Sequence, residues 1–79
     1  MNKETRKRLV SLKEQLDEIV SELSEIADAE EEKYESAPEN LQNSDRVVAW
    51  LDCADEIRSI CDDIENASDY LESEVLEVF

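Results

Sequence analysis

The residues best equipped for chemistry are carboxylates and two thiols. Acidic side chains crowd at residues 30–32, 52–56 and 62–65, and Cys53 and Cys61 lie among them. Such groups can hold a metal, act as a paired acid and base, or form a disulfide. Each use makes a demand on the surrounding chain that this sequence does not meet. A calcium loop alternates oxygen ligands around an obligatory glycine, and a di-metal bundle site sets histidine three residues after glutamate. The 79 residues contain neither glycine nor histidine. Carboxylates that cleave glycosides need a concave pocket that raises one pKa, and nothing in the pattern builds one. The missing glycines also exclude nucleotide-binding loops, where backbone must approach phosphate closely. The expectation is therefore no catalytic residue, no cofactor and no metal.

The two thiols are eight residues apart on what reads as one helix. At about 1.5 Å per residue their Cα atoms stand roughly 12 Å apart, beyond the reach of about 7 Å that a disulfide allows. Both are expected to be small buried or seam-flanking hydrophobes.

The elements that carry these groups follow from the apolar spacing. Val47, Trp50, Ala54, Ile57, Cys61, Ile64, Ser68, Leu71, Val75 and Val78 alternate in steps of three and four, the seam by which one helix lies along another. Leu9, Leu12, Leu16, Ile19, Leu23 and Ile26 repeat the pattern in the first half, with Val20, Ala27 and Tyr34 widening the stripe. Asn2 suits an N-cap. Ala37 precedes Pro38 and is biased away from helical torsions, and Asn43 or Ser44 can cap the second helix. The expectation is an all-α, coiled-coil-like antiparallel hairpin forming a single domain, with helices over 2–36 and 44–78 and a turn over 37–43. Trp50 should anchor the core near the turn, beside Tyr34, Leu41 and Leu51. A lone hairpin buries its seam only partly, and chains this short usually need a staple or partner. Val10, Val20, Val48, Leu51, Leu76 and Phe79 lie off the seam centre, so a second contact surface is available and a homodimeric four-helix bundle, or a hairpin completed by a foreign partner, is expected.

The charge is strongly one-sided. The chain carries 23 acidic and 8 basic residues, a net −15, and after Lys13 the balance is 22 acidic against three basic. Spread along a rod of roughly 50 Å, this approaches about one negative charge per 2.6 Å, against about one per 1.7 Å in duplex DNA. Lys3, Arg6, Lys7, Arg8 and Lys13 crowd the start, and the hairpin brings them beside Asp69, Glu72, Glu74 and Glu77. Acid and base four apart support a helix and like charges weaken it. Glu4 with Arg8, Lys13 with Asp17 and Arg58 with Asp62 are favourable, while six pairs, such as Glu14 with Glu18 and Asp52 with Glu56, set acid against acid. The surface is not tuned for helix stability.

The stretch EEKYESAPENLQNSDR, Glu31 to Arg46, resembles a pattern in short acidic helical-hairpin proteins of Gram-positive bacteria and their phages. In that group an acidic helix end, an aromatic, a P-E-x-L-Q turn and a Ser-acid-Arg helix start follow in order. Glu32, Tyr34, Pro38, Glu39, Leu41, Gln42, Ser44 and Arg46 match it, with Asp45 where glutamate is commoner. The resemblance implies a hairpin of phage or mobile-element origin. It supplies no catalytic residues.

Two functional classes fit. In the first the protein is a non-enzymatic binding module whose carboxylates, around Asp17, Glu18, Glu22, Glu25, Asp55, Asp62 and Asp63, dock on a basic protein surface. An inhibitor that mimics nucleic-acid charge on a nucleic-acid-binding host protein is the concrete form, with Tyr70 as an added contact. In the second the chain is a self-assembling structural bundle whose acidity only keeps it soluble. Nucleic acid itself is not an expected ligand, since phosphates would be repelled. No segment is apolar over the length of a membrane span and no secretory signal precedes the helix, so the expected setting is the cytoplasm.

Overall fold

A computed structural model describing residues 1–79 shows two long helices folded back on each other, with no strands. Helix α1 runs Lys3–Ser36 and helix α2 runs Asp45–Leu71. Both starts are capped by side chains. The Asn2 amide oxygen accepts from the Thr5 N–H at 2.8 Å, and the Ser44 hydroxyl accepts from the Val47 N–H at 3.3 Å. Each cap satisfies one of the donors that the first helical turn leaves free. Ala37 takes extended torsions ahead of Pro38, ending α1. A single 3-10 turn, Glu39–Leu41, then reverses the chain, and the Gln42 side chain ties it back by donating to the Ala37 carbonyl.

The second helix does not keep its pitch to residue 78. After Leu71 the winding loosens into a π turn, Glu72–Leu76. There the ladder lengthens by one residue, with the Glu77 N–H donating to the Glu72 carbonyl. Loosened winding leaves Val75 and Leu76 half-buried next to each other while Val78 is exposed, so the seam ends before Val78. The Arg6 guanidinium donates to the Leu76 carbonyl at 2.6 Å. That contact covers one of the carbonyls a helix end leaves unpaired.

On α2 the seam follows the apolar count, and on α1 it shifts onto residues that widen the stripe. Its buried residues are Val20 and Ala27 on α1 and Val47, Ala54, Cys61 and Ser68 on α2. Leu12, Ile19 and Ile26, expected in the seam, are instead 45 %, 44 % and 51 % exposed. Small side chains explain the shift: Ala27, Ala54, Cys61 and Ser68 let the two backbones approach closely. The larger residues are displaced to the edge of the contact. The result is a rod of 59 × 16 × 13 Å with six buried residues and no large side chain fully buried.

Candidate functional site

Cross-helix bonds fix how the rod is faced. The Ser68 hydroxyl donates to the Asp17 carboxylate at 2.7 Å. Lys13 contacts Asp17 at 3.2 Å and Glu72 at 3.9 Å. Arg58, instead of pairing with Asp62 along its own helix, reaches across to Asp28 at 2.9 Å and Glu31 at 2.6 Å. Crossing lets one guanidinium satisfy carboxylates on α1 that face the same gap. All these bonds lie on one flank of the seam.

At about 100° per residue, Asp17, Asp28 and Glu31 stand on one side of the Val20 and Ala27 line, and Leu12, Leu16, Ile19, Leu23 and Ile26 on the other. On α2, Arg58 and Glu65 stand on one side of the Ala54 and Cys61 line, and Ile57, Ile60, Ile64 and Leu71 on the other. Because the bonds join the polar flanks to each other, the two apolar flanks share the opposite side. The hairpin is therefore two-faced, with most isoleucines and leucines on one broad side, Glu30 among them, and carboxylates on the other, beside Val10, Val48 and Leu51.

The charged face takes in half of the residues expected to bind a partner. Glu25 on α1 and Asp55 and Asp62 on α2 are exposed and lean toward it. Asp17 lies within it with its charge already engaged. Hydrogen bonds from Ser68 and then Lys13 hold the Asp17 carboxyl below its usual range. The Lys13 ammonium is held above its usual range by its hydrogen bond to Asp17. Arg58 is likewise raised, by Asp28 first and Glu31 second. Glu18, Glu22 and Asp63 are exposed on the backs of their helices, and Tyr70 is exposed on the back of α2. The proposed set is thus split, with Glu18, Glu22, Asp63 and Tyr70 outside the face that unites the others.

Sequence reasoning passed over Asp28 and Glu31, which Arg58 joins to that face. The signal was present in the single arginine at the centre of α2, whose reach spans the seam. Trp50 is half-buried near the turn, with the Lys33 ammonium 5.6 Å from its ring centroid, a cation over an aromatic face.

Cys61 is buried, its thiol 3.8 Å from the Val20 carbonyl and the Ser24 hydroxyl; Cys53 is exposed, and both are free thiols. No three cysteine or carboxylate side chains converge as a metal-ion cage. The single concavity, lined by Ala29, Glu32, Lys33 and Ser36, is an open dent along one side of α1. No helix is long and apolar enough to cross a membrane. No family model matches the chain, and no curated protein or solved structure matches it either.

Proposed function

We propose that this protein is a non-enzymatic binding module whose charged face docks on a basic protein surface, in the manner of an inhibitor that imitates nucleic-acid charge. The observation that carries the reading is segregation. Carboxylates of both helices meet on one side of the rod, where Arg58 and Lys13 hold Asp28, Glu31, Asp17 and Glu72. Fixed charges at short intervals attract a cationic groove over several ångströms and orient it. Open surface with no enclosed pocket favours docking over catalysis. The resemblance of the hairpin tip to phage-associated acidic proteins supports the same reading.

The test is capture at low ionic strength with the protein immobilised, followed by titration of each captured protein. A nucleic-acid-binding partner is expected, displaced by duplex DNA and released steeply by salt. Combining Glu25→Gln, Asp55→Asn and Asp62→Asn should abolish capture while leaving the helices intact. A complex indifferent to salt, to DNA and to these substitutions would refute the proposal. The second reading, a structural bundle with a merely solubilising surface, draws its support from the aliphatic face, and it gains if the neutralised variant behaves like the parent.

A further inference from the structure

The aliphatic face is the half of the molecule that the proposed function leaves unused. Leu12, Ile19 and Ile26 form one rail along α1 at seven-residue intervals, and Ile60 lies 50 % exposed on the facing rail of α2 between half-buried Ile57 and Ile64. We infer that this face is covered by a second copy of the chain, head to head, with the two tips at the same end of a four-helix bundle.

Area supports a partner of this size. A compact monomer of 9.1 kDa exposes about 4,900 Å² by the size scaling of folded proteins, while this rod exposes 5935 Å². The excess, about 1,000 Å² per chain, would remove roughly 2,000 Å² from water when two copies meet, the upper end of a specific interface. A second layer of helices would also supply the core that a single hairpin lacks.

Charge selects the arrangement. Turning one hairpin over end to end would lay α2 on the partner's α2. That arrangement would set Arg8 at the opposite end of the rod from the partner's Glu74. Head to head, α1 lies across from the partner's α2. The cations Lys3, Arg6, Lys7, Arg8 and Lys13 then gather at the same end as Glu72, Glu74 and Glu77 of both chains, with Arg8 and Glu74 edging the aliphatic face from opposite rails. Opposite charges at the edge of an interface help fix which pairing forms. The inference is independent of the charged face, which stays on the outside of the bundle.

The experiment combines sedimentation equilibrium with distances between spin labels at the tip. The label is placed through Asn40→Cys in a Cys53→Ser background, leaving buried Cys61 in place. A dimer at micromolar concentration is expected, with labels about 20 Å apart, two helix diameters, against a separation near the 59 Å rod length for the reversed arrangement. Ile19→Glu and Ile60→Glu, made separately, should each weaken self-association about tenfold or more, since each buries an unpaired charge twice in the dimer. A helical monomer at that concentration, including one that needs a different protein to cover the face, overturns the inference. So does a long label distance, or a dimer that withstands both substitutions.

Discussion

At the residue scale, the contact between Asp17, Ser68 and Lys13 shows how the acidic chain fixes a few of its carboxylates. Ser68 is buried at the seam and its hydroxyl points outward to Asp17, which also holds Lys13. The folded Asp17 carboxyl titrates below its ordinary value, so its contribution to stability is fully present above the unfolded value near about 3.9. The contribution is lost as pH falls through the folded value. Lys13 is raised, so its share is complete below the ordinary lysine range and fades as pH climbs through the folded value. Ser68→Ala removes the largest of the causes acting on Asp17. Carbon-detected NMR titration of the carboxyl should show it moving back up toward the ordinary range, with little change in helix content, since alanine fills the same space. An Asp17 titration that stays where it was would mean that Lys13 alone sets it. Arg58→Gln acts on the second clamp. It should lower the melting temperature at low salt, with the deficit narrowing as salt is added, because the lost contacts to Asp28 and Glu31 are exposed charge pairs.

At the element scale, each helix begins at a designed stop. Ser44 caps α2, and Ser44→Ala should cost about 1 kcal/mol. For a chain of this size that is a drop of roughly 4–8 °C in melting temperature, measured by circular dichroism at fixed protein concentration, whereas Ser44→Asp should retain most of the stability. Caps, the proline turn and the helical hairpin were legible in the sequence because each rests on local chemistry: an amide or hydroxyl oxygen within three residues of a free N–H, or a ring that forbids helical torsions before it. So was the α2 seam, whose buried Val47, Ala54, Cys61 and Ser68 all stand in the apolar count, but the centre of the α1 stripe was not. Counting apolar residues favours the largest, and so placed Leu12, Ile19 and Ile26 inside. Two bare helices come closest where side chains are smallest, so Ala27 and Ala54 took the centre and the isoleucines became a face. The π turn after Leu71 was also hidden, because it answers to a distant partner, Arg6, at the other end of the chain. Arg58 was misread for the same reason: a favourable neighbour four residues on, Asp62, competes with two carboxylates brought close only by folding.

At the scale of the whole molecule, one property separates the processes proposed for the two faces. The isolated chain carries −15, and like charges lie a few ångströms apart, within the screening distance of about 10 Å at 0.1 M salt. Repulsion therefore opposes both the folded rod and the meeting of two copies, and screening relieves both. Raising salt from low to moderate ionic strength should raise the melting temperature. The same change should strengthen self-association, because aliphatic burial drives it and salt leaves that term intact or improves it. Docking on a basic partner must respond in the opposite sense, losing affinity as the attraction between charged face and cationic groove is screened. Measuring sedimentation and partner binding in one salt series puts both signs in a single experiment. Opposite slopes would assign association to the aliphatic side and docking to the carboxylate side. If self-association fell with salt as binding does, the contact between copies would rest on the basic end against Glu72, Glu74 and Glu77, and the row of isoleucines would not be what holds them.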